Sequence, residues 1–289
     1  MANCISCGRQ LPRTIFGQSS NVCAECRNAA VTIPASGSFS TPPSDGPQPR
    51  TIARSYPPLT TALVGINVAV YVAMVLSGVS PVEPHVPQLL RWGANFGPLS
   101  LGPQPWRILA SNYLHGGLLH IALNMWCLWN LGSLAERIFD GTTYLLTYTF
   151  SGLAGSLVSL WWHPGVVGVG ASGAIFGVAG ALIAALYLGH LPIPKAALRG
   201  TLRSLLTFAA YNLFFGALPG IDNSAHIGGL LAGLTLGTAM SSHLTSSPEV
   251  RNGWRRAIFI GAGLLLAILF LVIKHANGGV PPESLNPST

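Results

Sequence analysis

The stretch Gly170-Ala171-Ser172-Gly173-Ala174-Ile175-Phe176-Gly177 opens an apolar run that continues to Leu188. The run is long enough to cross a bilayer, which takes roughly twenty residues. A serine stands in its first turn with glycines on both sides. Glycine lets the backbone come close and clears bulk from around a hydroxyl. The first N–H groups of a helix lack intrahelical partners and carry partial positive charge. A hydroxyl there can attack a carbonyl while those N–H groups receive the oxyanion. The same residues also have a plainer use. Gly173 and Gly177 form a G-x-x-x-G pair, which packs membrane helices against one another. The rest of the chain decides between the two.

Only 8% of the 289 residues are charged and 49% are hydrophobic. A soluble domain carries about 25% charged residues, so this composition, with a mean hydropathy of +0.49, describes a multi-span membrane protein. The N-terminus has cysteines and polar residues where a signal peptide needs an apolar core, so no signal peptide is expected. From Leu59 onward seven spans are expected, at about 59–78, 113–133, 142–162, 171–188, 201–219, 223–241 and 254–274. Lys and Arg orient them. With the N-terminus inside, Arg9, Arg13, Arg27, Arg50, Arg54, Arg137, Lys195, Arg199, Arg203, Arg251, Arg255 and Arg256 lie inside, against Arg91, Arg107 and Lys274 outside. The expected protein is therefore an all-α, polytopic integral membrane bundle with a cytoplasmic N-terminus and an extracytoplasmic C-terminus, in a bacterial inner membrane.

Ahead of the spans stand two cysteine pairs, Cys4-x2-Cys7 and Cys23-x2-Cys26, with fifteen residues between them. This is the four-thiolate spacing of a structural zinc site. Disulfides or a redox pair are the alternatives, and the lack of a secretion signal favours zinc. So short a segment cannot fold on apolar burial alone, so Zn²⁺ would supply its folding energy. Residues 1–28 are read as a zinc-ribbon-like module with a possible cytosolic protein partner, and no nucleic acid partner is expected. Residues 29–58, with seven prolines among Ser, Thr and Gly, read as a flexible linker.

The orientation gives each polar residue a depth. Spans two, four and six all descend from the outer face, so their early residues share one level. Span four brings Ser172 to that level. Span six brings His226, in the stretch Ala225-His226-Ile227-Gly228-Gly229. Span two carries His120 and Asn124 at i, i+4, on one helical face. Polar residues at membrane depth are costly and point to function. A serine hydroxyl needs a base within reach, and histidine titrates in the right range for that task. Gly229, Gly233 and Gly237 form a small face suited to Gly173 and Gly177, which would draw Ser172 toward His226. His120 and Asn124 can then donate to an oxyanion. Asp222, four residues before His226, is a weaker candidate for orienting it.

Several pieces, in order over residues 59–241, resemble the rhomboid family of intramembrane serine proteases. They are Trp106-Arg107; His115, then His120-x3-Asn124; Glu136-Arg137; Gly170-Ala171-Ser172-Gly173; and His226-x2-Gly229-x3-Gly233. The resemblance implies a six-span catalytic core at 59–241 with a seventh span and tail at 242–289. It implies Ser172 as nucleophile and His226 as general base. It further implies an oxyanion hole from His120, Asn124 and the Ser172 backbone N–H, with no cofactor for catalysis. The implied substrates are membrane proteins, cut in or near their transmembrane segments within the lipid bilayer. Phe176 stands where many members have a tyrosine, so the stacking ring is kept and its phenolic hydrogen bond is lost. A non-catalytic scaffold of the same family usually lacks the serine or the histidine, and both are present. A transporter would need mid-membrane ion ligands or paired repeats with broken helices, and neither is found.

Overall fold

The computed structural model describes residues 57–216 and 220–277. The zinc-module cysteines Cys4, Cys7, Cys23 and Cys26, the linker up to residue 56 and the tail from residue 278 lie outside the described residues.

Helix α1 is Pro58–Leu76, with proline at the first helical position, where its missing N–H is no loss. A connection of short helices follows: α2 (Val86–Trp92), α3 (Gly97–Ser100), α4 (Arg107–Ala110) and a 3₁₀ turn at Ser111–Tyr113. Five longer helices, α5 (Leu118–Ile138), α6 (Gly141–Trp162), α7 (Ser172–Leu188), α8 (Lys195–Phe215) and α9 (Asn223–Ser241), lead to α10 (Pro248–Asn277).

Seven of the described helices overlap the seven stretches expected as spans, and α5, α8 and α10 have displaced boundaries. Helix α5 starts at Leu118 rather than near residue 113. Gly117 holds φ at +126°, a conformation that stops helix propagation, and residues 111–113 have wound into the 3₁₀ turn instead. Helix α8 runs from Lys195 to Phe215 rather than from 201 to 219. Its first two turns carry Lys195, Arg199 and Thr201 among apolar residues, so an apolar window misses them, and Gly216 ends it.

Helices α1, α5 and α10 are long and apolar enough to cross a membrane on length and composition alone, and α7 is apolar but has 17 residues. The Thr, Ser and Gly residues of α6 and α9 that lower their hydropathy mostly face other helices, as at Thr143, Thr147, Ser151, Gly229 and Gly233. Position in the bundle, not lipid contact, sets their composition.

The bundle centres on α7, which buries 13 of its 17 residues. Its partner α9 lies on it backbone to backbone. A Cβ built on Gly229 would sit 1.9 Å from the Gly173 carbonyl oxygen, and one on Gly233 would sit 1.8 Å from that of Gly177. This is the glycine face that the four-residue spacing predicts. Glu136 in α5 accepts the backbone N–H of Thr60, so its carboxylate ties the end of α5 to the start of α1. Asp140 caps α6 through the Thr143 N–H at 3.0 Å and also meets Arg255 at 2.7 Å and Arg251 at 3.5 Å. Those two arginines anchor α10 beside the start of α6. At the other end Asn277 donates to the Leu160 carbonyl at 3.3 Å, so α6 and α10 run parallel.

Candidate active site

Ser172 is the first residue of α7, after Ala171 at the N-cap. Its own N–H is therefore among the free donors of the helix start. Gly170, which precedes them, has φ +130° and donates its N–H to the Ser111 carbonyl at 2.9 Å. No other residue fits there. Besides the strained backbone, a Cβ would come within 2.9 Å of the His120 ring and 3.8 Å of Ser172 Oγ. Ser172 Oγ and His120 Nε2 thus border the same small space.

The His120 tautomer follows from its other nitrogen. Nδ1 accepts the Gly116 N–H at 3.2 Å, so a neutral ring carries its proton on Nε2, toward Gly170 and Ser172. Edge-on contact with His115, at 5.2 Å between centroids, braces the ring. Asn124, buried one turn further along α5, spends one amide hydrogen on the His120 carbonyl at 2.9 Å and keeps the second.

His226 lies in the first turn of α9 and is buried. Its ring stacks on Phe176 with centroids 4.4 Å apart and planes 11° from parallel. Phe176 is one helical turn below Ser172 on the same face of α7. The stack therefore holds the imidazole against the serine-bearing face of that helix. His226 Nδ1 has no hydrogen-bond partner among the described residues. Asp222 does not bond the imidazole. Its oxygens accept the Ser159 hydroxyl at 2.5 Å, the Ser224 hydroxyl at 2.6 Å and the Ala225 N–H at 3.0 Å.

Beside Ser172 is a cavity of about 30 Å³, room for a single water, walled by polar groups of Asn95, Ser111, Ser156, Ser159 and Asp222. Its wall includes Ser172 but not the His226 ring. Asn95 Oδ1 is buried at this wall without a partner among the described residues. The α6 part of the wall was not singled out from the sequence. A signal existed: Gly152, Gly155, Ser156 and Ser159 stand at i, i+3, i+4 and i+7, a small polar stripe on one helix face.

Arg107 is 6% exposed and faces no carboxylate among the described residues. It donates to the carbonyls of Leu90 at 2.7 Å and Ala94 at 3.2 Å and to Gln104 Oε1 at 2.6 Å, while its guanidinium lies 5.0 Å from the Trp106 ring. It is the pin that folds the α2–α4 connection.

The fold and the site define a polytopic helical membrane protein with a serine and two histidines gathered in the first turns of three neighbouring helices. Comparison with known proteins carries this further. Residues 102–243 match the Rhomboid domain. The chain is 32% identical over 242 residues to the rhomboid protease AarA of Providencia stuartii, covering 76% of this chain and 84% of that one. It is 32% identical over 218 residues to the rhomboid protease GluP of Bacillus subtilis, covering 75% and 39%. It is 38% identical over 136 residues to RHOMBOID-like protein 4 of Arabidopsis thaliana, covering 47% and 34%. Several of the curated relatives are thus longer proteins, of which the match spans about a third to a half. The chain belongs to the rhomboid family.

Proposed function

We propose that the protein is an intramembrane serine endopeptidase that cuts transmembrane or membrane-proximal segments of other membrane proteins through a Ser172–His226 dyad. Relatives named as rhomboid proteases support the class of reaction. The observation that carries the residue assignment is the Phe176–His226 stack, which sets the imidazole against the helix face that bears Ser172.

Ser172 Oγ attacks the scissile carbonyl carbon while His226 takes the hydroxyl proton. The oxyanion accepts from His120 Nε2–H, the free Asn124 amide hydrogen and the Ser172 N–H. As the C–N bond breaks, His226 returns the proton to the leaving amine. A water then attacks the acyl-enzyme, giving its proton to His226, and Ser172 regains its hydrogen as the carboxylic acid leaves. The cycle needs no cofactor. The test is cleavage of a model span reconstituted with the protein. Ser172→Ala and His226→Ala should each abolish turnover and labelling by a fluorophosphonate, and turnover surviving in either removes the assignment. A non-catalytic scaffold would show neither turnover nor labelling in the unaltered protein.

The Lys and Arg distribution supports an inside N-terminus and a site at the outer side, and the bacterial relatives support a bacterial inner-membrane setting. The cysteine spacing supports a Zn²⁺-bound cytosolic module at residues 1–28, dispensable for chemistry and open to a protein partner. Metal analysis of Cys4→Ser/Cys7→Ser against the unaltered chain tests the metal. Deletion of residues 1–50 tests dispensability: lost turnover with intact folding would refute it.

A further inference from the structure

His226 presents a difficulty for any base. Its Nδ1 is buried with no acceptor among the described residues, so nothing hydrogen-bonds the ring into orientation. Phe176 fixes the plane of the ring, but stacking leaves it free to slide. What remains is the placement of the start of α9. Besides the backbone approach of Gly229 and Gly233 to α7, three contacts make that placement. The Ala225 carbonyl presses on the backbones of α6 and α7, lying 2.7 Å from a Cβ built on Gly155 and 3.3 Å from one on Gly173. Asn223 donates to the Leu213 carbonyl of α8 at 3.2 Å. Asp222 grips Ser159 of α6, a residue 5% exposed, with one oxygen and the first turn of its own helix with the other.

We propose that Asp222 is a positioning residue for His226: through the Ser159 hydroxyl it locks the first turn of α9 to α6, and so sets where the imidazole meets Ser172. The inference rests on the dyad reading above. Asp222 touches neither the reacting atoms nor the imidazole, so it is not a third member of a triad. One carboxylate joins the two elements that carry His226 and the cavity wall, and it shares that cavity with Ser172. A sub-ångström slip of α9 along α6 would move the imidazole without changing the substrate-binding surface. The signature is a loss in kcat with little change in KM, because alignment is a transition-state quantity.

The experiment measures kcat and KM for a reconstituted model span, with thermal unfolding of each variant. Asp222→Ala removes the cap and the Ser159 bond, and kcat should fall at least about tenfold with KM within about twofold. Ser159→Ala keeps the cap and loses only the tie between helices. It should lower kcat about three- to tenfold with unfolding little changed, so it decides the question even if Asp222→Ala is unstable. The double variant should be no slower than Asp222→Ala, because both changes break one contact. Asp222→Asn, which can still cap α9 and bond Ser159, should recover most of the lost kcat. Multiplicative effects in the double variant, a loss confined to KM, or an unchanged kcat in Ser159→Ala would overturn the proposal. If Ser172→Ala and His226→Ala abolish cleavage while Ser159→Ala leaves kcat intact, this inference alone fails. If those two retain cleavage, the dyad reading fails first.

Discussion

Gly233→Ala is the smallest change that should separate the two central helices. A Cβ at this position would lie 1.8 Å from the Gly177 carbonyl oxygen, 2.5 Å from its carbon and 2.6 Å from its Cα. All three are backbone atoms, so no rotamer relieves the clash. Real Cβ atoms come no closer than about 3.0 Å, so α7 and α9 must part by about 1.2 Å. Overpacking of this kind costs about 1–3 kcal/mol, and a backbone-to-backbone clash belongs at the upper end. Alanine's better helix propensity returns at most about 1 kcal/mol. Net destabilisation should be about 2 kcal/mol. The catalytic cost should be larger than the stability cost. Gly177 is the next residue after Phe176, whose ring supports His226, and a misplacement near 1 Å can cost on the order of 10²-fold in rate. Thermal unfolding and cleavage in the same reconstituted preparation measure both. Gly261→Ala in α10 is the control, because nothing lies within 4 Å of a Cβ there, and it should be neutral or slightly stabilising with full activity. If Gly233→Ala keeps both its unfolding temperature and its kcat, the close backbone contact is not what aligns the site.

Three further outcomes are expected. Phe176→Ala removes the ring under His226 and should lower kcat by about two- to twelvefold, in line with about 0.5–1.5 kcal/mol for the aromatic pair, while Phe176→Tyr should keep activity. Arg107→Ala leaves the Leu90 and Ala94 carbonyls without their buried donor and should cost about 2–4 kcal/mol; protease nicking between residues 90 and 110 measures it, and Arg107→Lys should recover only part. Burial raises the Asp140 carboxyl, but the Thr143 hydrogen bonds, Arg255 and Arg251 more than offset it and hold its pKa below the usual carboxylate value. The folded state therefore binds the proton less well than the unfolded one. Stability from this contact is full above the unfolded pKa, near 4, and is lost as pH falls from there through the folded value. Asp140→Asn should lower the unfolding temperature at neutral pH and flatten this acid-side decline.

How far the sequence reached depended on the range of the forces involved. The long helices and their approximate positions were readable because a bilayer demands long apolar runs with internally satisfied backbones, and that demand is local. The contact of α7 with α9 was readable because Gly173, Gly177, Gly229 and Gly233 repeat every four residues, which is one face of a helix. Boundaries slipped where a turn overrode apolarity, as at Gly117, or where charged residues in the first two turns masked a helix, as at Lys195 and Arg199.

Sequence alone thus determined the chain's class and the close-packed helix pair, because each depends on length, spacing or composition along one segment. Only the tertiary structure decided which groups act on which. Folding brings Gly116 to His120 and sets its tautomer, turns Asp222 toward Ser159 instead of His226, cages Arg107 in carbonyls, and gives the carboxylate of Glu136 to the first turn of α1. Directional hydrogen bonds between segments distant in the chain have no periodic trace in the sequence, so their partners exist only once the helices have packed.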